Sequence, residues 1–372
     1  MIYMIRYHSV LPENAKSGGY GEYDTVDFVV TFENRNLVNS SIRVEADLDV
    51  YSTGTTKIAV TDKIYIDSKV GAHCFLSSVT TELQTKSVVE NIQEYPRYVK
   101  MNQEATLSSN DVFNSQSTSE LKTAGKKITN SLLMGIIDSS NQIDPADSKS
   151  VDFSIKPVFC LNKMSSDLPY SKTGAIRISL KLNRNFSVLY GADVVAGSNY
   201  VLNNLRLSFM SVPETQLKAP VQLRTLLNIK QTVSSGLANI SSKIPAVCNA
   251  VSCSFQRQSR ENTMYFNNFE TEKLPNVQQL QFLFNDSQSQ YITYQIDEQQ
   301  ELIDRYLESF SSSGNNNISL NNLRANKGWG LGLSFGDFID LSNQKFNIQV
   351  TSEVQSTDKY IMYMYFHSLL NM

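Results

Sequence analysis

Three histidines, His8, His73 and His367, come first, because imidazole is the side chain that exchanges protons and binds metals near neutral pH. They lie far apart in the chain, with no partner at the spacing of a metal motif or a catalytic triad. Structural or surface roles are expected for all three. The stretch Gly328 to Gly336, GWGLGLSFG, has the glycine density of a phosphate-binding loop. A phosphate cradle must open a helix whose N-terminus faces the anion, yet FGDFIDLSNQKFNIQV reads as a turn and a strand. These glycines are therefore expected to let backbone pack closely at a bend or bulge beside Trp329.

Two sets of carboxylates could do acid–base work or hold a hard cation. Glu298, Glu301, Asp304 and Glu308 recur at three- and four-residue spacing with Arg305 among them, the pattern of the solvated face of an amphipathic helix. Glu45, Asp47 and Asp49 line one side of a strand, and an exposed strand face explains them. The four cysteines, Cys74, Cys160, Cys248 and Cys253, show no CxxC spacing and read as buried free thiols. No HExxH, GxSxG or Walker sequence occurs. The expectation is a chain with no catalytic, cofactor-binding or metal-binding residues, hence no cofactor and no enzymatic activity.

The composition agrees with a packed, non-catalytic protein. Over 372 residues it is 41% hydrophobic with 18 Tyr and 18 Phe, enough for two cores and too apolar for disorder. Charged residues make up only 19%, so solubility falls to Asn, Ser, Thr and Gln, a surface able to meet neighbours without burying many ions. The net charge of −3, with Lys126-Lys127 the only short basic cluster and only Arg6 and Lys16 basic in residues 1–20, argues against direct nucleic-acid binding. MIYMIRYHSVLPENAK has no apolar signal-peptide core, and no apolar run approaches the ~20 residues of a membrane span. Synthesis in a cytosol-like compartment is expected. The N-x-S sequons at Asn39, Asn185, Asn239, Asn285 and Asn317 then carry no glycan.

The elements that would position these residues are mostly strands. Between Gly174 and Pro213, Ile176, Ile178, Leu180 and Leu182 alternate with Arg177, Ser179 and Lys181. After a turn at Asn183 to Asn185, a second alternation runs through Leu205, Leu207 and Phe209. Earlier, Val26 to Phe32 alternates, and Ile42, Val44, Ala46, Leu48 and Val50 oppose Arg43, Glu45, Asp47, Asp49 and Tyr51, so a one-residue slip would expose the apolar set. Short strands are expected at 57–60, 63–66, 73–80 and 151–156. Residues 1–20 read as an irregular arm. The polar segment 94–150 reads as a long inter-strand insertion with one helix between Ser117 and Ile128, capped by Ser117 and Glu120.

Past Pro220 the pattern starts again. Strands are expected at 226–233, 236–240 and 251–255, followed by a hairpin with Leu280, Phe282 and Phe284 on one arm and Tyr291 to Ile296 on the other, turning at Asn285-Asp286-Ser287. Asp297 and Gln300 would cap a helix over 298–310, with Leu302, Tyr306 and Phe310 on one face. Strands at 330–335 and 346–354 lead to a last one, Tyr360 through Phe366, apolar on both faces, as for a strand covered on both sides or at a subunit seam. The division is an arm over 1–20, a first β-domain over 21–212, a linker over 213–221 and a second β-domain over 222–372.

Two stretches carry a family likeness. FSIKPVFCLNKMSSDLPYSKTGAIRISLKLNRN leading to YVLNNLRLSFMSVPE resembles the end of the first jelly roll of a double jelly-roll major capsid protein. KQTVSSG through VSCSFQ, then FNNFETEKLPNVQQLQFLFNDSQSQYITYQI and GLGLSFGDFIDLSNQKFNIQVTSEV, resembles the second. The resemblance covers roughly 20–372 and is strongest to tailless icosahedral DNA viruses of the polinton-like, adintovirus and virophage kind. It implies an all-β fold of two tandem eight-stranded jelly rolls with a few short helices. It also implies a homotrimer whose six rolls form a pseudo-hexagonal capsomer, tiling an icosahedral shell with itself and with penton or minor proteins. The chain would then reside in the virion after synthesis in the host cytosol or nucleus, with 94–150 as an outward tower or a trimer clasp. A penton-like capsid subunit and a carbohydrate- or receptor-binding β-sandwich remain the alternatives. An enzyme is a third class that no residue constellation supports.

Overall fold

The computed structural model of the chain describes residues 4–58, 62–108, 120–121, 151–214, 220–244, 247–284, 291–295, 299–312, 318–325, 327–342 and 345–372. Among these, eleven strands lie before residue 214: β1 (Arg6–Val10), β2 (Thr25–Val30), β3 (Arg35–Leu37), β4 (Arg43–Thr53), β5 (Thr56–Lys57), β6 (Leu76–Leu83), β7 (Ser87–Gln93), β8 (Val151–Ile155), β9 (Leu168–Pro169), β10 (Ile176–Leu182) and β11 (Asn199–Pro213). Eight follow: β12 (Gln222–Val233), β13 (Leu237–Lys243), β14 (Val247–Arg257), β15 (Gln279–Phe284), β16 (Tyr291–Gln295), β17 (Leu331–Asp340), β18 (Lys345–Thr351) and β19 (Tyr360–Asn371). Three helices longer than one turn accompany them: α1 (Tyr95–Thr106), α2 (Gln299–Ser312) and α3 (Leu320–Ala325).

The strands form three sheets. One has seven strands in the order β5-β4-β11-β3-β9, with β1 added on β11 and β8 on β4. A four-stranded sheet runs β13-β18-β15-β16. Between them lies an eight-stranded sheet, β17-β14-β19-β12-β7-β6-β10-β2, which takes four strands from each half of the chain. The halves meet where β12 runs parallel to β7 through a single paired position, Leu227 with Asn91. Each half therefore has its own outer sheet and a share of one common sheet.

Alternation in sequence becomes alternation in burial. Val26, Phe28 and Val30 of β2, and Ile176, Ile178, Leu180 and Leu182 of β10, all point into the first core. The two strands pair antiparallel over six residues from Ile176↔Val30 to Lys181↔Thr25. β11 is longer than its Leu205–Phe209 alternation suggests because a bulge between Asn203 and Arg206, with Asn204 at φ +50°, shifts its register on β4 without ending the ladder.

The last strand is the wall shared by both cores. Tyr360, Met362, Met364 and Phe366 belong to the second core, while Ile361, Tyr363 and Tyr365 belong to the first. The expectation of a strand covered on both faces is met inside a single chain. β19 also pairs along both edges, over twelve positions with β12 and nine with β14.

Several local expectations are corrected. Residues 1–20 are not irregular throughout, since β1 pairs with β11 from Arg6↔Ser211 to Val10↔Leu207. Residues 63–66 form no strand; Tyr65 makes one isolated bridge to Tyr190. Gly71–Phe75 is a 3-10 turn, and the strand expected from His73 begins at Leu76. Its opening glycine has φ +58°, a conformation that ends extended structure. The insertion expected from 94 begins with the 12-residue buried helix α1, and β7 just before it was not foreseen. The Ser117–Ile128 helix lies outside the described residues except for a turn at Glu120 and Leu121, as do the Asn285–Ser287 turn and Asp297.

The Gly328–Gly336 stretch leads into β17, as a strand reading requires. A Cβ at Gly330 would meet the Tyr306 ring and stand 2.5 Å from the Cys253 carbonyl oxygen; one at Gly332 would stand 2.6 Å from Ser309 Oγ. The glycines let α2 lie directly on the sheet, with Leu302, Tyr306 and Phe310 buried beneath it. Gly330→Ala is expected to cost about 1–3 kcal/mol through this overpacking, whereas Gly21→Ala, whose nearest neighbour is 3.6 Å away, should cost less. Urea unfolding midpoints of the two variants check this, and equal midpoints would refute the close-packing role.

Candidate functional site

The residues singled out for chemistry do not converge. His8, on β1, stacks on Phe209 at 4.5 Å and bonds Ser211 Oγ at 2.8 Å. His73 is buried beside Tyr95, whose hydroxyl is 2.8 Å from Nδ1. His367 Nε2 lies 2.8 Å from Ser252 Oγ, which in turn is 2.7 Å from Ser309 Oγ. A serine and a histidine at this distance are the start of a nucleophile–base pair. Here Ser252 and His367 are both buried, and His367 Nδ1 has no hydrogen-bond partner to orient the ring. Burial, with Lys163 nearby, holds the imidazole pKa down at about 3, so the ring stays neutral.

The acid strip of β4 is answered across the ladder. Glu45 takes Arg206 Nε at 2.7 Å and Ser208 Oγ at 2.8 Å, Asp47 takes Asn204 Nδ2, and Asp49 takes Lys57 Nζ at 2.8 Å and Asn203 Nδ2 at 2.9 Å. Glu301, Asp304 and Glu308 lie on the exposed side of α2. All four cysteines are buried and unpaired, and burial pushes their thiols up, Cys248 to about 12, so they are poor nucleophiles at neutral pH. Among the described residues no three His, Cys, Asp or Glu side chains gather as a metal site, and no helix is long and apolar enough to cross a membrane.

What the fold does bring together is a polar seam between the halves, built around α1. Tyr98 packs on Tyr365 at 5.2 Å and Phe310 at 6.4 Å, and Lys163 Nζ sits 2.9 Å from the Tyr98 hydroxyl. Tyr365 donates its hydroxyl to the Glu94 carbonyl at 2.8 Å. Arg97 bonds Gln256 Oε1 on β14, with its guanidinium 4.0 Å from the centre of the Tyr363 ring. One turn on, Lys100 Nζ lies 2.6 Å from Asp67 Oδ2, and the same oxygen takes Asn267 Nδ2 at 2.6 Å. Asp67 Oδ1 takes the N–H groups of Lys69 and Val70, each at 2.8 Å. Glu104 accepts Thr271 Oγ1 at 3.0 Å. Each α1 charge thus reaches a residue of the second half directly or through Asp67.

Burial alone would raise the Asp67 carboxyl, but the Lys100 ammonium and the bonds from Lys100, Asn267 and Val70 outweigh it and hold the pKa at about 2. Glu104 is raised by burial against the pull of Lys100 and Lys69. A second buried carboxylate sits at the sheet junction itself. Glu90 on β7 takes Cys160 N–H at 2.7 Å and, across the seam, Leu226 N–H of β12 at 2.8 Å. It closes the ladder one residue from the lone Leu227–Asn91 pair, and Asn228 Oδ1 takes Gln93 N–H at 2.8 Å on the other side. Burial raises the Glu90 pKa to about 7, with the Cys160 and Leu226 bonds and Lys163 opposing.

Two outcomes are expected from this geometry. Lys100→Met leaves Asp67 charged and buried and should lower stability by about 3–5 kcal/mol, measured by urea unfolding near neutral pH. For Glu90 the folded pKa of about 7 exceeds the ordinary 4.5, so its protonation linkage stabilises fully below 4.5 and is lost as pH rises through 7. The change is about 3 kcal/mol in stability between those limits. Comparing the pH dependence of unfolding for Glu90→Gln and the parent chain checks it: a flattened slope between pH 4.5 and 7 is expected, and an unchanged slope would rule out Glu90 as its source.

No protein-family model and no curated protein matches the sequence. Solved structures do. The Faustovirus major capsid protein superposes with a TM-score of 0.63 at 9% identity, covering 100% of this chain and 90% of that one. A chain of the PBCV-1 virus capsid gives 0.61 at 10% identity over 99% and 94% of the two chains. The mavirus major capsid protein gives 0.55 at 12% identity over 98% and 90%. At these identities the likeness is one of architecture, and it extends over the whole chain: the fold is the double jelly roll of these capsid proteins.

Proposed function

We propose that this chain is a structural virion protein, a major capsid protein whose trimers form pseudo-hexagonal capsomers of an icosahedral shell. The observation that supports it is the end-to-end match to the Faustovirus major capsid protein, which leaves neither chain with a large unmatched part. The seam has the fitting physical character. Two rolls joined through a common sheet, a shared strand and buried ion pairs form a unit that can present both rolls to neighbours in one fixed orientation.

On this reading the first roll spans 21–212, the second 222–372, and 213–221 links the end of β11 at Pro213 to the start of β12 at Gln222. The partners are further copies of the chain and other shell proteins, and the site of residence is the virion. The N-terminal segment fits such contacts, since Met4, Ile5, Tyr7 and Leu11 are all exposed, Tyr7 to 80%. The role is mechanical, and it asks for no reaction.

Light scattering on the purified chain across protein concentration and salt tests the proposal. A stable species of ~125 kDa, three times 41.8 kDa, or growth into regular shells is expected. A monomer that persists at high concentration would overturn the capsomer assignment.

A further inference from the structure

A cavity of about 210 Å³ opens beside the seam, at the start of α1. Its wall carries four cations, Arg97 and Lys181 with Arg184 from the first half and Lys230 from the second, against two carboxylates, Glu94 and Glu261. Four positive charges less two negative ones leave +2, in a chain whose net charge is −3. The carboxylates are already engaged: Lys230 Nζ bonds Glu261 and lies 3.4 Å from Glu94, and Arg97 Nε lies 3.7 Å from Glu94. Lys181 and Arg184 are exposed and form no ion pair among the described residues.

Two further features make this wall receptive to negative charge. Arg97 is 4% exposed, and its Nε has no hydrogen-bond partner, so a buried donor is left unsatisfied at the cavity wall. The N-terminus of α1 opens here with no side-chain cap and no acidic residue in its first turn. Its partial positive charge therefore adds to that of the cations, and the one carboxylate at the N-cap, Glu94, makes no capping hydrogen bond to it. Glu94, at the N-cap, is held at φ +50° with its side chain turned to Lys230 and Arg97.

We propose that this cavity binds a small, multiply charged oxyanion of the phosphate class. The anion would be held between Lys181 and Arg184 on one side and Arg97 with the α1 N-terminus on the other. It would sit against both rolls at once and so stabilise their mutual orientation. The chemistry is shared by free phosphate and by a phosphomonoester lipid headgroup. The inference stands apart from the capsomer assignment, because a monomer could bind the anion equally well.

The full-length chain is tested by thermal unfolding in increasing sodium phosphate, with sodium chloride at matched ionic strength and pH as reference. The unfolding temperature is expected to rise with phosphate beyond the chloride reference, as for any ligand selective for the folded state. The pair Lys181→Ala with Arg184→Ala, both exposed positions, should keep the fold and weaken the apparent affinity by at least about ten-fold. The pair Lys172→Ala with Lys243→Ala makes the same change in net charge outside the cavity and should leave it intact. Sedimentation with phosphatidylcholine vesicles with and without phosphatidic acid separates the sources. Vesicle binding that the cavity pair abolishes assigns the headgroup, and phosphate stabilisation without it assigns the free anion. Neither effect, or effects that the cavity pair leaves unchanged, would overturn the proposal.

Discussion

The constraint on which the rest of the structure depends is that one strand, β19, supplies a wall to two hydrophobic cores. Its even positions, Tyr360 to Phe366, fill the second core, and its odd positions, Ile361 to Tyr365, face the first. A strand with two apolar faces is stable only when both are covered. That requirement places the halves on opposite sides of a common sheet, and the other seam contacts follow from it. Tyr98 meets Tyr365, Arg97 meets Tyr363, and Glu90 caps the neighbouring β12 because β19 has drawn these elements together.

The seam also carries charges that such a join usually avoids. Asp67, Lys100 and Glu104 are all buried, and each has its partners: Asp67 alone takes two backbone N–H groups, an amide and an ammonium. Replacing such a set by apolar groups is often neutral or stabilising, so its contribution here is read in geometry. The Asp67 carboxylate can satisfy Lys100 of α1 and Asn267 of the second half together only in one arrangement of the three segments. Apolar contacts between the same elements would tolerate sliding.

Much of this architecture was legible in the sequence where one face was apolar and the other polar. β2, β4, β10 and the buried face of α2 follow their alternation or four-residue spacing, and the glycines of 328–336 lead into a strand, β17, as the residues after them suggest. α1 and β7 escaped because charged and polar side chains stand among their inward residues. α1 buries Arg97, Lys100, Gln103 and Glu104 beside its apolar side chains, and β7 turns Glu90 and Ile92 inward while Val88 is exposed. Periodicity finds a buried face only when that face is apolar. The partners that make those charges tolerable, Asp67, Gln256, Thr271 and Leu226, lie tens to hundreds of residues away, and no local pattern reveals them.

Sharing β19 has a consequence for cooperativity. Chains of two domains commonly lose them one at a time, with a half-folded species between. Here β12 and β14 pair with β19 across more than a hundred residues of chain, from Gln222↔Asn371 to Arg257↔Tyr360, so the shared wall forms only after distant segments have met. Withdrawing it opens both cores together. The two rolls are therefore coupled as one thermodynamic unit, and a half-folded chain with one intact roll would expose the aromatic face of the strand that the other roll should cover.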